Sequence, residues 1–311
     1  MRSVRFLAPA IAVVLASATA AFAQQPQLRE TTIRQNVAYG NHDGTSLVGD
    51  LYAPKAPGKY PVVIAVHGGG WQGGSKNGYR TWGPYLAARG IALYSIDYRL
   101  SKPGQPSYPQ AVNDVRAAIQ FVKQKGEELS LDPERIALMG DSAGAHLVSL
   151  VGLAGDAAPF NKAYPNDPYA SFSTKVSAVV SAYGVFDMAQ QWNHDQLTRP
   201  RDQITEKFLG KPPMEDRRIY FESSPISYAV KADKQPAYFL TWGTMDDIVD
   251  PVQSEAFLLA LKQAQIQAQA RPIVGAVHAW IGEPLDDPRS TVSAVLSAIV
   301  RFLEGRLAPA Q

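Results

Sequence analysis

The 311-residue chain contains no cysteine. Disulfides, thiol catalysis and cysteine-ligated zinc are thereby excluded, and the fold must be held by packing alone. An excess of charge of either sign is also missing, with 30 Lys and Arg against 28 Asp and Glu. Without a cluster of basic residues, neither nucleic acid nor an anionic membrane is a natural partner. Histidine is scarce at five copies, so chemistry that needs an imidazole has few places to reside. Internal repeats are absent, as are low-complexity tracts beyond the first residues.

The chain opens on a basic stretch, Met1-Arg2-Ser3-Val4-Arg5, followed by an apolar run from Phe6 to about Ala16 and the exit Ala21-Phe22-Ala23-Gln24. Charged start, apolar middle and Ala-x-Ala exit are the three parts of a secretory signal peptide. Pro9 and the shortness of the run speak against a membrane anchor of ~20 residues. We expect cleavage after Ala23 and a secreted or periplasmic product that makes no membrane contact. That product, residues 24–311, has 28 basic and 28 acidic side chains, because the leader holds Arg2 and Arg5 and no acid. A substrate without net charge is the matching expectation. Some 288 residues suffice to bury about three quarters of the unfolded surface around one core.

Short β-branched runs alternate with longer amphipathic ones, the pattern of a mostly parallel α/β sheet. Strands are predicted over 32–39, 48–52, 61–66, 91–96, 135–139, 176–182, 237–242 and 270–274, the first two as an antiparallel edge. Helices are predicted over 79–88, 109–125, 143–153, 251–265 and 290–303. Two stretches break the alternation, 156–174 and 188–222. Insertions of this length are lids or pocket walls in some enzymes and surface decoration in others.

Gly140-Asp141-Ser142-Ala143-Gly144 lies between a predicted strand and a predicted helix. A serine at such a turn takes strained backbone angles, and the residues two before and two after it crowd together, which glycine relieves. The turn lifts the hydroxyl above the sheet, next to a helix N-terminus that favours developing negative charge. Ser142 is therefore the candidate nucleophile. Upstream, a strand ends in His67-Gly68-Gly69-Gly70-Trp71. Glycines let main-chain N–H groups approach a carbonyl that is becoming an oxyanion. The amides of Gly69, Gly70 and Ala143 are the candidate donors. A phosphate loop would need G-K-[ST] or a spaced G-x-G-x-x-G, and neither is present.

The base must be one of five histidines. The order nucleophile, acid, histidine leaves His194 and His278. His278 follows the last predicted strand, whereas His194 lies in the second insertion with no strand before it, and His146 packs behind the elbow. For the acid, Asp246, Asp247 and Asp250 follow the strand ending at Trp242. Asp246 is preferred, Asp247 comes next, and Asp250 beside Pro251 reads as a helix N-cap.

On these residues the chain resembles the α/β-hydrolase esterases of the hormone-sensitive-lipase and carboxylesterase kind, notably bacterial feruloyl and acetyl esterases. The stretches that carry the resemblance are 67–71, Asp97-Tyr98-Arg99-Leu100, 140–144, Ser224-Pro225-Ile226-Ser227-Tyr228 and Gly243-Thr244-Met245-Asp246. The resemblance implies a Ser142–Asp246–His278 triad, and an Asp97-Tyr98-Arg99 segment that braces the oxyanion loop. Asp250 replaces the usual proline, and Ala279-Trp280 replaces a small residue followed by Phe.

The expectation is an eight-stranded α/β-hydrolase that cleaves short-chain acyl or hydroxycinnamoyl esters, free or linked to saccharide, without metal or organic cofactor. Trp71 and Trp280, with Trp192 a weaker third, are the expected substrate-binding aromatics. An amide-cleaving enzyme of the same fold (a formamidase or peptidase) and a non-catalytic binding module are the rival readings.

Overall fold

The computed structural model describes residues 28–309; the leader expected over 1–23 lies outside them. Eight strands form one sheet: β1 (Thr31–His42), β2 (Thr45–Pro54), β3 (Tyr60–Val66), β4 (Ala92–Ile96), β5 (Leu131–Asp141), β6 (Ala178–Ala182), β7 (Ala237–Gly243) and β8 (Ala268–Ile273). Their spatial order is β1-β2-β4-β3-β5-β6-β7-β8. β1 pairs antiparallel with β2, and β2 with β4, while every later pairing is parallel. Among the described residues, eight α-helices accompany the sheet: α1 (Trp82–Ala87), α2 (Gln110–Lys125), α3 (Ala143–Ala154), α4 (Met188–Thr198), α5 (Ile204–Leu209), α6 (Arg217–Glu222), α7 (Pro251–Gln263) and α8 (Ser293–Arg306).

The runs that read as continuous rather than alternating are the central strands. Every residue of β3, β4, β6 and β7 is buried. A strand covered on both faces has no polar side to show, which is why Pro61–Val66 contains nothing but apolar residues. β8 closes the sheet, and each of its residues is partly buried or exposed.

Parallel pairing decides where the chemistry gathers. Val66 stands beside Gly140, Asp141 beside Ala182, Ala182 beside Thr241, and Gly243 beside Ile273. The chain segments leaving β3, β5, β6, β7 and β8 therefore emerge at one edge, the usual location of a site in an open α/β sheet.

The two stretches outside the alternation behave differently. Residues 156–174 cover α2 and the β1 edge: Gln120 Nε2 donates to the carbonyls of Ala170 and Phe172, and the Tyr164 ring stacks on His42 at 3.6 Å. The second stretch, unassigned from sequence, holds α4, α5 and α6. These helices were missed because they are short and only α4 exceeds two turns. The helix expected from Tyr79 starts at Trp82, and the last one runs from Ser293 to Arg306 rather than from 290 to 303.

Candidate active site

β5 ends at Asp141 and α3 begins at Ala143, so Ser142 alone makes the turn, with φ 51° and ψ −121°. Such angles are strained for a residue bearing a Cβ. The Ser142 amide donates to Ala182 O at 2.9 Å and its carbonyl accepts from the His146 amide at 3.0 Å, which fixes the turn from both sides. A Cβ on Gly144 would collide with the carbonyls of Val66 and His67, so glycine is what lets α3 start against the end of β3.

His278 bridges the other two residues. Its Nδ1–H donates to Asp246 Oδ2 at 2.7 Å, and its Nε2 accepts from Ser142 Oγ at 2.9 Å. Asp246 is held by its second oxygen, which accepts the amides of Ile248 and Val249 at 3.0 Å each. The two loops meet because Gly243 leaves room: a Cβ there would lie 2.6 Å from Ala276 C and 2.7 Å from Val277 O. Met245 N then donates to Ala276 O at 2.9 Å, stitching the acid's loop to the histidine's.

The competing residues sit elsewhere. Asp247 is exposed, and Asp250 caps α7 by accepting the Val252 amide at 3.0 Å. His194 Nε2 donates to Asp247 O at 2.9 Å, away from Ser142. His146 is fully buried behind the elbow, where burial pushes its pKa down to about 4.

Residues 67–71 lie against the elbow. Gly69 and Gly70 have φ of 116° and 59°, open to glycine and poor for other residues. Gly68 N donates to Asp141 Oδ1 at 3.1 Å, and Tyr79 OH donates to the same oxygen at 3.0 Å. Burial raises the Asp141 pKa to about 6, with these two donors working against the rise. Tyr98 OH donates to His67 O at 3.0 Å, and its ring stacks on the imidazole at 4.4 Å. Within Asp97-Tyr98-Arg99, then, Tyr98 touches the loop, while Arg99 turns to Asp114 and Asp43.

A cavity of about 310 Å³ opens over Ser142. Gly69, Gly70, Ala143 and His278 line it, with Trp71 at its wall. Trp71 is buried and stacks on Phe208 at 4.5 Å. Trp280 does not line the cavity, which corrects its assignment as a substrate-binding residue. Ala279, at φ 66°, faces the cavity and turns the chain so that Trp280 packs on Tyr183 at 5.0 Å. Ile281 pins that turn, donating to Tyr183 OH and accepting from Trp82 Nε1, both at 2.9 Å. Trp192 is likewise outside, donating to Glu206 at 2.7 Å.

The sequence reading missed Gln191, Asp195, Arg199 and Ile204, all of which line the cavity from the second insertion. The signal was present, since 191, 195 and 199 are spaced by four and fall on one helical face. Polar residues at that spacing read as a solvated face unless something is known to pack there.

The family profile described as BD-FAE matches residues 49–261. Esterase LipQ of Mycobacterium tuberculosis is 32% identical over 251 residues, 77% of this chain and 55% of LipQ. A probable isoprenylcysteine alpha-carbonyl methylesterase of Arabidopsis thaliana, ICMEL2, is 30% identical over 266 residues, 81% of this chain and 59% of that protein. The chain thus spans little more than half the length of these relatives. Among solved structures, the Thermogutta terrifontis esterase Est2 superposes with a TM-score of 0.70 at 25% identity, covering 88% of this chain and 94% of Est2.

Proposed function

Because this chain belongs to the BD-FAE family, we propose that it hydrolyses carboxylic esters through an acyl-enzyme on Ser142. The observation that carries this reading is the pair of contacts, 2.7 and 2.9 Å, joining Asp246 to His278 and His278 to Ser142. His278 Nε2 takes the hydroxyl proton as Ser142 Oγ attacks the ester carbonyl. The carbonyl oxygen becomes an oxyanion, and the amides of Gly69, Gly70 and Ala143 receive it. Each such donor contributes about 10²–10³ in rate. Asp246 keeps the proton on Nδ1, so Nε2 is free to accept, and it stabilises the imidazolium that forms. The imidazolium then gives its proton to the leaving alcohol. Water, deprotonated by the same nitrogen, releases the acid and restores the serine.

The esterase names of the relatives agree with this reading. A cavity of about 310 Å³ suits a short acyl chain or one aromatic ring with its linker. Val185, Ile204, Ile248, Val249 and Ala279 give it apolar walls. Short-chain acyl and hydroxycinnamoyl esters, free or carried on a saccharide, are the proposed substrates. The basic start, apolar run and Ala-x-Ala exit of residues 1–23 support export of the enzyme.

The test is hydrolysis of 4-nitrophenyl acetate and methyl ferulate by the wild-type protein and by Ser142→Ala, with fluorophosphonate labelling of both. Loss of both reactions and of the label in the variant supports the proposal. Turnover at the wild-type rate in Ser142→Ala overturns it.

A further inference from the structure

One wall of the cavity departs from its apolar surroundings. Arg199, just past the end of α4, donates from Nη2 to Asp195 Oδ1 at 2.9 Å and to Ile248 O at 3.1 Å. Its Nε–H is buried with no acceptor among the described residues, and Nη1 makes no hydrogen bond to them either. Nε–H is out of a ligand's reach, and the guanidinium therefore sits at the cavity with its two Nη1 donors to spare.

It is also held in place. The Asp195 side chain is 1% exposed and engaged on both oxygens: Oδ1 also accepts Gln191 Nε2 at 2.9 Å, and Oδ2 accepts Thr205 Oγ1 at 2.7 Å. Gln191 is itself fixed by its donation to Ile248 O and by Gln253, at 3.0 and 3.1 Å. If Arg199 swung away, a buried carboxylate would lose its counter-ion, a strongly unfavourable change. A donor fork fixed before binding needs no ordering when the ligand arrives.

Charge decides what it receives. Besides Arg199, the charged residues along the cavity are Asp141 and Asp195, both acids. An anionic group entering there meets two acids and one base, whose charge Asp195 already balances. An uncharged oxygen meets the unused Nη1 donors beside apolar residues such as Ile204 and Ile248, where a hydrogen bond from a charged donor is worth most.

We propose that Arg199 is a specificity-determining residue whose spare N–H donors take an uncharged ether, hydroxyl or carbonyl oxygen carried by the substrate away from its scissile ester. The proposal rests on the esterase reading above and narrows the substrate class to oxygenated esters.

The experiment measures kcat/KM for two series, 4-nitrophenyl hexanoate and hexyl acetate, in which one methylene at a time, none of them bonded to the ester group, is replaced by an ether oxygen. Both sides of the scissile bond are thereby covered. In the wild-type protein one oxygen position should exceed its all-carbon parent by about 10-fold, the lower end for a hydrogen bond to a charged group. Arg199→Met should remove that advantage, and Arg199→Lys, which can still pair with Asp195 but lacks the fork, should keep only part of it. Melting temperatures of both variants check that they fold, and Arg199→Lys carries the test if Arg199→Met does not. The proposal is overturned if no oxygen position is favoured, if the advantage persists in the folded variants, or if 4-nitrophenyl hemisuccinate outperforms its methyl ester. The esterase reading fails separately, through turnover that survives in Ser142→Ala.

Discussion

Trp71 Nε1 donates to His146 Nδ1 at 3.2 Å, tying the loop that carries the Gly69 and Gly70 amides to the helix behind Ser142. Because Nδ1 accepts, the imidazole proton is on Nε2, which donates to Ser223 O at 2.7 Å. The ring is thus required neutral, and burial holds its pKa at about 4 against an ordinary 6.5. In this interval the unfolded chain binds the proton and the folded one does not, so His146 makes stability fall as pH drops from 6.5 towards 4. Asp141 and Asp114, both raised to about 6 by burial, act in the opposite sense. A difference measurement cancels them. Urea unfolding of wild type and His146→Gln should give a stability difference that moves against the wild type by about 2 kcal/mol between pH 7 and pH 4.5. A difference independent of pH would show that His146 does not titrate in this way.

Asp246 and Asp247 are adjacent, yet one carboxylate meets His278 and the other faces solvent. Asp246→Asn keeps the shape but offers an amide where an acceptor is needed, so it favours the wrong imidazole tautomer. A fall in kcat of about 10²–10⁴-fold is expected, by analogy with the same change in serine proteases. Asp247→Asn should stay within about twofold, as surface changes usually do. Ester hydrolysis rates of the two variants decide, and the reverse order would move the acid to Asp247.

Gly144→Ala should be among the most damaging methyl additions in the chain. The new carbon would lie 2.6 Å from His67 O and closer still to Val66 O, both backbone atoms at the end of β3. A cost of about 3 kcal/mol, the upper end for overpacking, is expected in chemical denaturation. Gly305→Ala provides the contrast. That position is exposed on α8 with nothing within 4 Å of the added carbon, and should gain about 0.5–1 kcal/mol. Comparable effects at both positions would contradict the steric account.

Trp280→Phe should act on stability rather than on substrate choice. The ring is buried against Tyr183 and outside the cavity, so a loss of about 1–3 kcal/mol is expected from the void left behind. The ratio of kcat/KM for methyl ferulate to that for 4-nitrophenyl acetate should change by less than about twofold. A large change in that ratio with unaltered melting temperature would return Trp280 to the pocket.

Much of the fold was legible because its signals are local. The eight strands lie within a few residues of their expected limits, and for β3 to β7 the reason is that buried parallel strands are unbroken apolar runs. The elbow was legible for the same reason: Gly140 and Gly144 answer a clash confined to five residues. What could not be read was the occupancy of the cavity wall. Trp280 looked like a pocket aromatic because it lies two residues from His278, but the positive φ of Ala279 sends it inward. Gln191, Asp195 and Arg199 carry no local signal that tells a cavity wall from a solvated face, because the surface they meet, Ile248 O and the loop after β7, is remote in sequence.

The amino-acid sequence by itself determined the strands, the turn at Ser142 and the glycine loop, because each depends on clashes and periodicities among neighbours in the chain. Tertiary structure alone decided which carboxylate reaches His278 and which aromatics face the cavity. It also set a guanidinium there with donors to spare. Those outcomes depend on distances between loops 30 or more residues apart, such as the 32 that separate Asp246 from His278. Parallel strand pairing sets such distances, and no local pattern encodes them.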